Sequence, residues 1–296
     1  MAEVYLDRRR AALRRTQNPD GGWGYFPGKT SWLEPTAYAM LALDGDPAAR
    51  EAADRAWKLV QSWQLPDGSW RAGATVEDGT WVTALAVTLC SVRRDYGTQF
   101  EKGASYLLGT CGAENRPLVR FLRALGLGDK EVDTSHPGWP WRDGNSSWLE
   151  PTAHALVALK KSAAQVRSPV LKTRVGEAEQ MVLVRRCRDG GWNYGVRSAL
   201  HVDLPSYPET TALGLLALQG TTAPIEESIA LGRHLWLRPK SPLAHAWLTI
   251  ALRTWGDALP APDEAEEPPK DIMLTALQAL AHPNGNFRLL KTGRPA

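Results

Sequence analysis

The chain repeats a short polar turn followed by an apolar helix, and this repeat limits what it can fold into. Gln17 to Trp23 reads Gln-Asn-Pro-Asp-Gly-Gly-Trp and leads to Ser31 to Ala37, Ser-Trp-Leu-Glu-Pro-Thr-Ala. Gln64 to Trp70 reads Gln-Leu-Pro-Asp-Gly-Ser-Trp and leads to Thr83 and Ala84. Gly138 and Trp139 lead to a second Ser-Trp-Leu-Glu-Pro-Thr-Ala at Ser147 to Ala153, and Asp189 to Trp192 leads to Tyr207 to Ala212. From the turn Trp to the Thr of Thr-Ala is 13 residues in the first three units (23 to 36, 70 to 83, 139 to 152) and 19 in the fourth (192 to 211). The fourth loop therefore carries six extra residues, around 199–206.

Each part of the unit has a physical reading. Asp-Gly-Gly is a tight turn in which glycine accepts a positive φ. Pro35, Pro151 and Pro208 suit a first helical turn, where a missing N–H costs nothing. The runs after Thr-Ala are apolar nearly all round, as in a helix buried on most sides. The stretches between them, near 48–62, 99–108, 172–186 and 226–237, are amphipathic and read as outer helices. Residues 117–127, 242–255 and 271–281 keep helical spacing without the turn. No stretch alternates with period two. The pattern predicts an all-α chain of about 11 to 12 helices, paired so that each buries a face on the next. Pro260 to Pro269 interrupts it as an acidic, proline-rich loop, expected to be solvated and mobile.

Composition narrows the function classes. A net charge of +3 gives no sign of a nucleic-acid partner. The three cysteines form no CxxC pair and no disulfide framework. No apolar run approaches the ~20 residues of a membrane span. Met1 to Thr16 carries Arg8, Arg9, Arg10, Arg14 and Arg15 but no apolar core, so it reads as a charged first helix rather than a signal peptide. The expected location is cytoplasmic. A basic face resting on an acidic membrane stays open beside a plain solvated helix.

At the Gln-x-x-Asp-Gly-Gly-Trp turns the chain resembles the squalene/terpene cyclase and protein prenyltransferase β-subunit superfamily. Gln17 to Trp23 and Gln64 to Trp70 are similar to its QW motif, and Asp189 to Trp192 is a partial copy. The resemblance runs from about Gln17 to Leu218. It implies an α/α toroid with inner helices around a central cavity and outer helices around those, here as one domain over 1–296. It also implies that the QW residues are structural. The chain departs from the active branches of that superfamily. Asp-x-Asp-Asp and Asp-Asp-x-x-Asp are absent, and the nearest acidic string is Glu77-Asp78. Cys90, Cys111 and Cys187 do not stand in Asp-x-Cys, so no catalytic zinc is expected. Cys111-Gly112-Ala113-Glu114-Asn115 lacks the Gln of a thioester motif.

A cyclisation started by protonation needs a neutral carboxylic acid in an apolar pocket, aromatic faces for the cation, and exclusion of water. Glu34, Glu150 and Glu209 stand at equivalent inner-helix starts, with Trp32, Trp148 and Tyr207 two residues earlier; Trp81 replaces the Glu in the second unit. A helix N-terminus by itself favours the carboxylate anion and helix capping, which opposes the acid role. His154 lies one turn after Glu150, on the same face, where the other units hold Tyr38, Leu85 and Leu213. A Glu-His pair can move protons near neutral pH, although a buried, hydrogen-bonded His fits the same position. Asp133 and His136 replace the turn's Gln and Asp, and the long fourth loop adds His201 and Asp203. Repeat geometry would gather these groups at one side of the mouth.

The reading is a toroid that performs a metal-independent, acid-initiated cyclisation or isomerisation of an isoprenoid or similar apolar substrate, with no cofactor. Glu150 and His154, or Glu77 and Asp78, would supply the proton. Two alternatives stand beside it: a non-catalytic toroid that binds a lipid, peptide or partner protein, and a divergent prenyl transferase whose metal or partner subunit comes from elsewhere.

Overall fold

The structure, a computed structural model, describes residues 4–125, 136–199, 202–239 and 241–293. Twelve α-helices occur among them: α1 (Val4–Arg15), α2 (Leu33–Leu43), α3 (Arg50–Ser62), α4 (Thr83–Arg93), α5 (Thr98–Gly109), α6 (Pro117–Ala124), α7 (Leu149–Lys161), α8 (Leu171–Val184), α9 (Pro208–Ala217), α10 (Glu226–Trp236), α11 (Pro242–Thr254) and α12 (Ile272–Ala281). Six of them form a closed inner ring in which α2 packs on α4, α4 on α7, α7 on α9, α9 on α11, α11 on α12 and α12 back on α2. Helices α1, α3, α5, α8 and α10 pack outside this ring. The result is the α/α toroid that the resemblance implied, and one core cluster runs from Leu6 to Leu290.

Burial follows the sequence pattern. In α2 every residue except Glu34 is buried, whereas α3 buries only Ala56, Trp57 and Val60. An inner helix touches neighbours on all sides, so only an apolar sequence can occupy it.

The 13-residue spacing has a direct cause. The backbone N–H of Trp23 donates to Thr36 Oγ1 (2.9 Å), that of Trp70 to Thr83 Oγ1 (2.8 Å) and that of Trp139 to Thr152 Oγ1 (2.9 Å). In the fourth unit the Trp192 N–H reaches Thr211 Oγ1 at 3.2 Å despite the longer loop. In the longer loop Ser198 pairs with Asp203 and Ala199 with Val202, outside the staple. Each indole Nε1 donates outward, to the carbonyls of Leu13, Val60, Leu107 and Val182 on the preceding outer helix. Each turn Trp thus joins an inner helix to an outer one.

The rest of the unit supports this join. Gln17 Nε2 donates to the Gly21 and Ala52 carbonyls, and Gln64 Nε2 to those of Gly68 and Gln99, which ties each turn to the outer helix that follows. In the fourth unit Arg186 holds the Gln position and donates to the Pro224 carbonyl. Gly21, Gly68 and Gly190 have φ of 93°, 92° and 92°, which L side chains rarely adopt. A backbone belt then links the units. Leu33 N–H donates to the Ala72 carbonyl, Trp81 to Trp141, Leu149 to Tyr194 and Ile272 to Tyr25.

Two expectations change. The arginines of α1 do not form a free basic face: Arg9 is fully buried and bonds to Gln278 and Glu266, Arg8 pairs with Glu267, and Arg14 with Asp46. The acidic segment 260–269 is correspondingly no free loop. Its carboxylates hold α1, and Glu264 also accepts from the Tyr5 N–H at 2.7 Å. Among the described residues no helix is long and apolar enough to cross a membrane.

Replacing Thr152 by Val keeps the volume but leaves the buried Trp139 N–H without an acceptor. Urea unfolding should show a loss of about 1–3 kcal/mol, and Thr152→Ser should recover most of it. Equal stability of the Val variant would show that the staple contributes nothing.

Candidate active site

The first turns of the inner helices meet at one mouth of the ring. Glu34 opens α2, Glu150 opens α7 and Glu209 opens α9. One turn further in, Tyr38 and His154 project from α2 and α7 on the same faces as the two glutamates. They meet Trp247 of α11: the Tyr38 and Trp247 rings are 5.5 Å apart edge to face, and Tyr38 and His154 are 6.3 Å apart. Trp81 lies 5.1 Å from His154 and 5.2 Å from Trp141. Tyr38, His154 and Trp247 are buried. They come from three separate inner helices and form an aromatic floor below the carboxylates.

Glu34 and Glu150 both sit in poorly solvated surroundings. Burial, reinforced by the neighbouring Glu34 carboxylate, pushes the Glu150 carboxyl up to about 8. Burial also raises Glu34, although a hydrogen bond from the Tyr25 hydroxyl works against it. The favourable pull of the helix N-terminus on an anion is overcome at both positions, because the two carboxyls share a poorly solvated space. Glu209 accepts instead from Ser241 Oγ at 3.1 Å.

The other sequence candidates are dispersed. His154 does not pair with Glu150 as a proton relay. Burial holds its pKa down to about 3, so it is neutral at physiological pH, and its Nε2 lies 3.4 Å from the Tyr38 hydroxyl. Glu77 and Asp78 are exposed, and Asp78 pairs with Arg142 at 2.9 Å, so neither stands in the apolar pocket a proton donor needs. Asp203 is exposed and paired with Arg188. Asp133 and His201 lie outside the described residues, and His136 is half-buried in its turn. Among the described residues, no group of three or more His, Cys, Asp or Glu could hold a metal ion. Burial raises all three thiols, Cys90 to about 12, which makes them poor thiolates.

Of the aromatic candidates, Trp32 is half-buried against Gly73, Trp148 is partly exposed beside Gly195, and Tyr207 packs on Tyr194 at 5.4 Å. Sequence reasoning missed Tyr25, Trp141 and Tyr194. Each stands two residues after a turn Trp, a position that is aromatic in three of the four units. The backbone belt brings these residues to the mouth.

Comparison with known proteins agrees with this architecture. A variant of the type II terpene cyclase MstE from Scytonema, in complex with geranylgeranyl dihydroxybenzoate, superimposes with a TM-score of 0.60 at 18% identity, covering 98% of this chain and 97% of that one. The chain has the fold of the type II terpene cyclases. The endoglucanase Cel10 from Klebsiella pneumoniae, a family 8 glycosyl hydrolase, shares it at a TM-score of 0.56 and 14% identity, covering 94% and 98% of the two chains. The fold alone therefore does not select a reaction. In sequence, a drimenyl diphosphate synthase from Streptomyces showdoensis is 43% identical over 68 residues, 22% of this chain. The matched stretch spans only 13% of that relative's length. No protein-family model matches the chain.

The raised pKa of Glu150 has a stability consequence. The folded state holds a proton that the unfolded state releases above the ordinary glutamate pKa of 4.5, so stability falls as pH rises from there to about 8. Melting temperatures of the Glu150→Gln variant should match the parent near pH 4 and exceed it at pH 8 to 9. Parallel curves across that range would show that Glu150 is solvated.

Proposed function

We propose that the protein is a terpene cyclase-like enzyme in which Glu150 starts a metal-independent cyclisation or isomerisation of an isoprenoid or similar apolar substrate at the ring mouth. The observation that carries this reading is a carboxyl raised to about 8 above an aromatic floor. At neutral pH such a group is mostly protonated, so it has a proton to give. Its O–H bond would break as the π electrons of a substrate double bond take the proton to form a C–H bond, leaving a carbocation beside the new carboxylate. That ion pair offsets the cost of the buried anion. The faces of Trp81, Trp141, Tyr38 and Trp247 would stabilise positive charge as it moves through the chain, each by about 0.5–2 kcal/mol. The final proton would leave carbon for a carboxylate, Glu150 itself or Glu34. Trp32, Trp148, Tyr194 and Tyr207 would hold the apolar tail at the rim.

The likeness to an isoprenoid-bound cyclase and the short match to a drimenyl diphosphate synthase support the substrate class. The packed floor favours a second reading, in which the mouth binds an apolar ligand without turning it over. Incubation of the purified protein with geranylgeranyl diphosphate, farnesyl diphosphate and squalene, followed by mass spectrometry, separates the two. The enzyme reading expects new cyclic or isomerised products that fall at least about 100-fold in Glu150→Gln, in line with loss of a general acid. Turnover should also decline as pH rises above about 8, where Glu150 ionises. Binding without product, or product formation unchanged in Glu150→Gln, would remove Glu150 from the mechanism.

A further inference from the structure

The third unit, which carries Glu150, has no acid in its own turn. In the first and fourth units the turn Asp reaches across the loop to the serine that precedes the inner helix. Asp20 Oδ1 accepts from Ser31 Oγ at 2.8 Å, and Asp189 Oδ2 accepts from the Ser206 N–H at 3.2 Å and from its Oγ at 2.8 Å. The third unit holds His136 at that place and Ser147 as its serine. Its acceptor comes from outside the repeat. Glu114, in the short turn Ala113–Asn115 after α5, takes the Ser147 N–H on both carboxyl oxygens, at 2.9 and 3.1 Å.

A second charge completes the contact. Arg185, at the end of α8, donates from Nη1 to the Ser147 carbonyl at 2.6 Å and faces Glu114 through Nη2 at 3.7 Å. Glu114 and Arg185 are 6% and 5% exposed. One buried ion pair therefore grips both the N–H and the C=O of a single residue. The approach is close enough to require Gly112, where a Cβ would lie 2.3 Å from Glu114 Oε2 and 2.3 Å from Ser147 Oγ. The Ala113 N–H ties the two segments again, donating to the Asn145 carbonyl at 2.9 Å. Desolvation offsets much of the attraction in a buried ion pair, so stability alone is a weak reason for one. What this pair fixes is a stretch of backbone. Ser147 lies three residues before Glu150, and α7 has no side-chain cap at its start. Among the described residues no side chain donates to Glu150 as Tyr25 does to Glu34 and Ser241 to Glu209. The place of the Glu150 carboxyl therefore rests on the backbone that enters α7.

We propose that Glu114, clamped by Arg185, is a positioning residue for the candidate acid: by holding Ser147 it sets the entry of α7 and keeps the Glu150 carboxyl out of water. This rests on the reading of Glu150 as the acid of the site, but its test needs no substrate. Carboxyl 13C NMR of the full chain labelled at glutamate, with Glu150→Gln assigning the resonance, gives the Glu150 titration midpoint, about 8 in the parent. In Glu114→Gln one acceptor oxygen and the charge are lost, the start of α7 loosens and Glu150 gains water. The midpoint should then fall by at least about one pH unit toward the ordinary glutamate value. Glu114→Asp keeps the charge but withdraws it from the Ser147 N–H; it should act the same way, and it replaces the Gln variant should that fail to fold. Adding His136→Asp to Glu114→Gln restores the turn acid of the other units and should return most of the midpoint. Where the parent turns over an isoprenoid, Glu114→Gln should lower kcat at least about tenfold with KM within about twofold. A shifted midpoint in a chain that turns nothing over would support the role of Glu114 and count against the enzyme reading alone. A lower melting temperature with an unchanged midpoint would overturn the proposal, by showing that Glu114 only stabilises the fold. Recovery of stability without the midpoint in the His136→Asp double variant would overturn it too.

Discussion

A backbone N–H that cannot reach water must find an acceptor, and in this chain four such groups determine the architecture. Each belongs to a turn Trp, and each is satisfied by the Thr hydroxyl at the start of an inner helix. The same Trp uses its indole N–H on an outer helix. One residue therefore fixes the separation of the two layers and the height of the helix start. The belt from Leu33, Trp81, Leu149 and Ile272 then holds the starts at a common level. The mouth with its carboxylates is a by-product of satisfying buried polar groups.

That construction explains the unusual charge state at the mouth. Helix N-termini ordinarily favour carboxylates. Here the staple draws the first turns close enough that Glu34 and Glu150 feel each other and lose solvent. Burial outweighs the helix dipole, and Glu150 becomes an acid that keeps its proton at neutral pH.

The ring was legible in the sequence because its signals are local: the Trp-to-Thr spacing, the Asp-Gly turns and the all-round apolar helices. The identity of the candidate acid was only partly legible. Glu150 stood out as a repeated residue, but the rise in its pKa comes first from burial in the assembled ring and then from Glu34, more than a hundred residues earlier in the chain. His154 was singled out for breaking the repeat, yet what surrounds it comes from α2, α11 and the segment before α4, so sequence spacing suggested a proton relay where the fold makes a neutral floor residue. The acidic strap looked solvated because its partner, α1, lies at the other end of the chain.

That last contact has a consequence for how the chain reaches its final form. The bonds from Arg9 to Glu266 and Gln278 span 257 and 269 residues, and α12 completes the ring against α2. Contacts so distant in sequence are the slowest to form. As the chain leaves the ribosome, the turn-and-helix units have their own partners at once. The apolar side of α2 that faces α12 has none until the last inner helix is made. The strap that holds α1 therefore joins segments more than 250 residues apart, beside the α12–α2 contact that closes the ring.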